Sequence, residues 1–144
     1  MKINISKKKN RILIEDRDIW NLCSTLASII HPALIKYKKD SHSYFFVDLE
    51  DLPEEMRKDY EENYNKMIKG ENDYDQKPLL AGHEYVIDFM IWSFGEILKE
   101  GTDDDIIFLY DFNHKDGIKK YDEHMRKINK GTTLFGKYFS HLWD

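Results

Sequence analysis

The sequence of 144 residues is poor in the features that mark secreted and membrane proteins. Cys23 is the single cysteine, so the chain can form no intramolecular disulfide and gives no sign of an oxidising compartment. No apolar run approaches the roughly 20 residues that a membrane-spanning helix needs. The lysine-rich start of the chain lacks the apolar segment of a signal peptide. We therefore expect a cytoplasmic protein that makes no contact with a membrane.

Signatures of the large enzyme classes are missing as well. The sequence has no glycine-rich phosphate loop, no Gly-x-Ser-x-Gly, no His-Glu-x-x-His and no paired cysteines. Its six histidines show no spacing that would bring metal ligands together. The formal net charge of −5 argues against a nucleic-acid binder, because such binding depends on clustered cations. This favours a non-enzymatic protein, and we predict no catalytic residue, metal, cofactor or nucleic-acid partner.

What is present is the composition of one folded domain, which we place over residues 1–144. Charged residues make up 34% of the chain and apolar residues 41%, a mixture typical of a packed core under a charged surface. Apolar residues recur every three or four positions in four stretches, which predicts a compact bundle of about four helices. The stretches cover residues 19–37, 53–68, 78–100 and 118–142. Inside the first, Pro32 predicts a kink or a restart near His31.

A small β part completes the predicted fold, which is mainly α in an α+β class. Residues 2–6 and 11–15 alternate between apolar and polar around a lysine-rich turn, a pattern that predicts a β-hairpin. The apolar run over residues 106–110 is short enough for a strand that pairs with this hairpin.

The last helical stretch has the most regular pattern. Its apolar positions alternate spacings of three and four from Ile118 to Leu142, which forms a heptad seam and offers a means of homo-oligomer assembly. Gly131 and Gly136 interrupt this stretch at a cost of about 1 kcal/mol each against alanine. Their presence indicates close packing of another backbone, or a bend.

Aromatic and cationic side chains provide the candidate binding residues. Cations interleaved with aromatics at helical spacing can hold phosphates and stack on bases, as Arg126, Lys137 and Tyr138 would do. His31 is either a core histidine or a pocket residue, and Tyr138 and Trp143 could instead pack while Lys137 is solvated. The candidate ligand-binding residues are Trp20, His31, Trp92, Arg126, Lys137, Tyr138 and Trp143.

Several blocks of the sequence form a recognisable combination. They are Trp20, Thr25-Leu26-Ala27, Ile29-Ile30-His31-Pro32 with Leu34, Asp48-Leu49-Glu50-Asp51-Leu52-Pro53-Glu54-Glu55-Met56-Arg57, Asp88 with Met90-Ile91-Trp92-Ser93-Phe94, and Gly131-Thr132-Thr133-Leu134-Phe135-Gly136-Lys137-Tyr138-Phe139-Ser140-His141-Leu142-Trp143-Asp144. With these blocks the chain resembles a widespread family of small tailed-phage proteins. It departs from the family at residues 81–85, where relatives often have a tryptophan-rich approach to the helix. The resemblance implies a phage origin, and with it a place in the host cytoplasm, but it gives no activity. Small, widely spread phage proteins often act against the host.

Three functional hypotheses follow. The leading one is a non-enzymatic phage counter-defence protein that binds and sequesters a small nucleotide immune signal. The alternative is an interaction protein that binds and inhibits a host protein through an exposed aromatic or acidic face. The third is a small metal-dependent hydrolase that uses His31, Asp88 and the acidic cluster over residues 50–55.

Overall fold

The computed structural model describes residues 14–100 and 113–143, and in these ranges all regular structure is helical. None of the helices described is long and apolar enough to cross a membrane. Single 3-10 turns lie at Leu49–Asp51 and Phe139–His141. The α-helices are α1 (Asp16–Trp20), α2 (Leu22–Asp40), α3 (Glu54–Ile68), α4 (Lys77–Glu100) and α5 (Lys115–Tyr138).

The predicted helical bundle is confirmed, and the four predicted helices correspond to α2 to α5. Of the kink or restart expected near His31, the restart is wrong, because α2 runs through Pro32 as one helix. The last helix stops at Tyr138 and gives way to the 3-10 turn, short of the predicted end at 142. The strand predicted over residues 106–110 lies outside the described residues. So does nearly all of the predicted hairpin, and its described end, Ile14 and Glu15, has no strand structure.

Helix α4 is the centre of the bundle and packs against α2, α3 and α5. It is apolar on more than one side, and its side chains supply much of the core. The fully buried members are Leu79, Val86, Ile87 and Met90. Both α2 and α5 run antiparallel to α4. In α2, Tyr37 lies near His83 while His31 packs on Gly95.

A close approach of α5 to α4 explains one of the two predicted glycine positions. A Cβ atom on Gly131 would lie 1.8 Å from the Ser93 hydroxyl oxygen and 3.0 Å from the backbone oxygen of Phe89. Only a residue without a side chain fits between the two helices there. A Cβ atom on Gly136 would meet nothing within 4 Å, so close packing does not explain that glycine.

The irregular segment between α2 and α3 covers one end of the core. Phe45, Val47 and Leu52 are buried although their backbone belongs to no helix. Side chains from distant elements accept its backbone hydrogen bonds. The Val47 amide donates to the Tyr60 hydroxyl at 2.6 Å, and the Asp48 amide donates to the Tyr138 hydroxyl at 2.9 Å. These bonds offset the cost of burying backbone amides away from water.

Candidate ligand-binding site

The candidate residues from the sequence occupy different environments. Trp20 is 86% exposed at the end of α1, and Trp143 is 69% exposed beyond α5. The carbonyl of Trp143 accepts a hydrogen bond from the Ser43 hydroxyl at 2.8 Å. The His31 ring fills the space beside Gly95, with Nε2 3.1 Å from where a Cβ atom would stand. His31 therefore belongs to the contact between α2 and α4.

Lys137 is surrounded by carboxylates. Its Nζ atom lies 2.6 Å from Asp51 Oδ2, 2.7 Å from Asp48 Oδ2 and 3.1 Å from Glu50 Oε1. Hydrogen bonds to Asp48 and Asp51 raise the pKa of the ammonium group well above its usual value. Three carboxylates around one ammonium leave an excess of negative charge. Lys137 thus ties α5 to the segment before α3 and is poorly placed to attract a phosphate.

Tyr138 completes the same connection from inside the core. Its ring is 4% exposed and stacks on Phe45 with 4.9 Å between centroids. Its hydroxyl donates to Asp51 Oδ2 at 2.6 Å while accepting from the Asp48 amide. Burial, then the bond to Asp51, raise the pKa of this phenol. Tyr138 therefore packs in the core, which was the alternative interpretation of this residue.

Trp92 belongs to a group of side chains whose proximity the sequence alone does not predict. Lys127 Nζ lies 4.3 Å from the Trp92 ring centroid, and Lys130 Nζ lies 5.7 Å from that of Phe89. The two rings are neighbours, with centroids 5.9 Å apart. Each pair is three residues apart on its helix, so both members face the same way. We call Phe89, Trp92, Lys127 and Lys130 the aromatic–lysine platform.

The Glu96 carboxylate lies beside the platform, and its negative charge is paired with a neighbouring lysine. Glu96 is only 13% exposed at its side chain, and it lies 3.3 Å from His124 Nε2 and within ion-pair distance of Lys99. The His124 ring in turn lies nearly perpendicular to the Trp92 ring, with 5.7 Å between centroids. Because the Glu96 carboxylate is paired with the Lys99 ammonium group, its charge offsets little of the positive charge of Lys127 and Lys130. Arg126, exposed on the same helix, is next to Lys127 in sequence.

Sequence reasoning found Trp92 and Arg126 but missed Phe89 and Lys127. The available signal was the spacing Phe-x-x-Trp on one helix and Lys-x-x-Lys on the other. That signal becomes a site only when the register of α5 against α4 is known.

The residues of the hydrolase hypothesis engage separate partners. Asp88 pairs with Lys38 at 2.5 Å, and His31 packs on Gly95. Within residues 14–100 and 113–143, the one group with the spacing of metal ligands is Asp48, Glu50 and Asp51. The ammonium group of Lys137 lies among those three carboxylates.

Comparisons of the chain with protein-family models, with curated proteins and with solved structures find no match.

Proposed function

We propose that this protein is a non-enzymatic binder that sequesters a small phosphorylated nucleotide on the aromatic–lysine platform. The observation that carries the proposal is the position of Lys127 Nζ, 4.3 Å from the centre of the Trp92 ring, with Lys130 over the neighbouring Phe89. The arrangement combines flat apolar surface with mobile positive charge, which are the two elements that bind a base and its phosphates.

The energies favour an exchange of partners when such a ligand arrives. An exposed lysine over an aromatic ring, as here, gains about 0.5–1 kcal/mol. A hydrogen bond between charged groups contributes about 1.5–3 kcal/mol. The ammonium groups of Lys127 and Lys130 therefore gain by turning from the rings to phosphate oxygens. This movement uncovers the Trp92 and Phe89 faces for stacking, which is worth about 1–3 kcal/mol per base.

The biological setting is part of the proposal. The resemblance to small tailed-phage proteins favours a phage protein that acts in the host cytoplasm, and the missing catalytic motifs favour sequestration over turnover. A nucleotide immune signal is a ligand of suitable size and charge. Arg126, which is exposed close to Lys127 on α5, would add a third cation for a ligand with several phosphates.

The proposal is tested by thermal unfolding of the protein with cyclic dinucleotides and with ADP-ribose. A ligand at 100 times its Kd adds about 2.7 kcal/mol to the stability of the folded state. For a chain of this length that is an upward shift of several degrees in Tm. A shift with one class of nucleotide, and none with inorganic phosphate, is the expected result.

Single lysine substitutions test whether the nucleotide binds at the platform. Lys127→Gln and Lys130→Gln should each reduce the nucleotide-induced shift, while Lys120→Gln, an exposed lysine on the same helix, should leave it unchanged. Equal shifts in all three variants would remove the platform from the binding site. A flat response to every nucleotide would favour the alternative of a host-protein partner.

A further inference from the structure

An apolar groove between α2 and the C-terminal end of α5 shares no residue with the aromatic–lysine platform. Its volume is about 280 Å³, and its lining is almost wholly apolar. The lining residues are Ile29, Ile30, Ala33, Leu34, Tyr37, Phe135, Phe139 and Leu142. Phe139 is 64% exposed at the rim. A phosphorylated ligand would find few polar partners in this groove, so its natural occupant is another apolar surface.

The groove continues into an uncharged face of α2. Leu22, Leu26, Ile29 and Ala33 follow one another at spacings of four, three and four, which places them in one row. Leu22 and Leu26 are each 46% exposed. Residues 22–35 include no Asp, Glu, Lys or Arg, although the solvent side of a surface helix is normally polar. An exposed apolar row of this kind marks a surface that is covered in the working protein.

Opposite charges border this row. The acidic end, residues 15–18, has three carboxylates and one arginine, and the basic end, residues 36–40, has three lysines and one aspartate. Because Lys38 pairs with Asp88 of α4, the excess is two negative charges before the row and one positive charge at its end. A second α2 laid antiparallel would bring each acidic end beside a basic end. A parallel α2 would set the two basic ends side by side.

We propose that the occupant of this face is a second copy of the chain, bound through an antiparallel contact of α2 with α2. The uncharged stretch of residues 22–35 has its middle beside Ile29, which places the two-fold axis near that residue and makes the contact isologous. Trp20, at the end of α1 and directly before this face, is 86% exposed.

Sedimentation equilibrium of the full chain tests the contact. The wild-type protein should sediment as a dimer and Leu26→Glu as a monomer with unchanged helical circular dichroism. Ile68→Glu is the matched control, since Ile68 is 60% exposed at the end of α3, and it should remain a dimer. A monomeric wild-type protein, or a Leu26→Glu dimer, would overturn the proposal.

Cysteine cross-linking tests whether the two α2 helices of the dimer are antiparallel. In the antiparallel contact the two Cys23 residues lie about 18 Å apart along the helices. A disulfide needs Cα atoms within about 7 Å, so mild oxidation should leave the wild-type chain uncross-linked. The variant Cys23→Ser with Ile29→Cys puts a thiol at the two-fold axis and should form a disulfide-linked dimer. A Cys23 disulfide in the wild-type dimer would contradict the antiparallel arrangement.

Discussion

Two tyrosine hydroxyls, those of Tyr60 and Tyr138, hold the buried irregular segment before α3. Tyr138 makes two hydrogen bonds to this segment: its hydroxyl accepts from the Asp48 amide and donates to the Asp51 carboxylate. Such a pairing links α5 to residues 87 and 90 positions earlier in the chain. No local sequence pattern predicts a contact over this distance. For that reason the sequence alone indicates Lys137 and Tyr138 as ligand-binding residues.

Substitution of Tyr138 by Phe should therefore destabilise the fold. The change keeps the ring that stacks on Phe45 but leaves the Asp48 amide and the Asp51 carboxylate without the hydroxyl. Both bonds are partly buried, so the loss should lie near the lower end of the roughly 1–3 kcal/mol that an unpaired buried polar group costs. Urea unfolding gives the value, with Tyr85→Phe as a control on α4. A Tyr138→Phe protein as stable as the wild type would show that the hydroxyl is dispensable.

His83 should make stability fall in mild acid. Its ring is buried, accepts a hydrogen bond from the Phe45 amide at Nδ1 and has a pKa lowered by burial, an effect that Glu84 partly opposes. The folded state thus takes up a proton less readily than the unfolded state, whose ordinary pKa is 6.5. Stability due to the neutral ring is complete above that value and is lost as the pH falls below it, with a slope of at most about 1.4 kcal/mol per pH unit.

Urea unfolding of wild type and His83→Gln between about pH 7 and pH 5 measures this contribution. The wild-type protein should lose more stability over this range than the variant, since the other titrating groups are common to both. If the free energies of unfolding of the two proteins changed equally with pH, the His83 ring would be protonated in the folded protein as easily as in the unfolded one.

At the scale of elements, the contact of α4 with α5 sets both the core and the platform. The periodicity of apolar residues predicts α2 to α5 because burial of one helix face repeats locally. It predicts neither α1, which has five residues and no buried one, nor the pairing of one helix with another. The platform depends on that pairing: Phe89 and Trp92 meet Lys127 and Lys130 only because α5 lies antiparallel to α4 in one register.

Two glycines of α5 offer a matched test of this register. Gly131→Ala should destabilise the protein by about 1–3 kcal/mol, because its Cβ atom would overlap Ser93. Gly136→Ala meets nothing within 4 Å and should stabilise the protein by up to about 1 kcal/mol through helix propensity. Chemical denaturation of both variants supplies the comparison. A Gly131→Ala protein more stable than wild type would contradict the close approach of α5 to α4.

At the scale of the whole molecule, an acidic protein presents two unlike surfaces. Lys127, Lys130 and Arg126 lie near one another on a chain of net charge −5, while the α2 row has no charge over 14 residues. Composition alone reports only the averages, and it argues against anionic ligands in general. The local distribution of charged and apolar side chains favours a small anion at the platform on α4 and α5, and a second copy of the chain on α2.

The most direct test of nucleotide sequestration is the emission of Trp92. The variant Trp20→Phe with Trp143→Phe leaves Trp92 as the single tryptophan, on the platform itself. Titration with cyclic dinucleotides and with ADP-ribose should change its emission in a saturable way with one nucleotide class, and Lys127→Gln should raise the Kd about tenfold, the loss of about 1.4 kcal/mol. Emission that stays constant while calorimetry detects binding, or the absence of binding by every nucleotide, would contradict the proposed function.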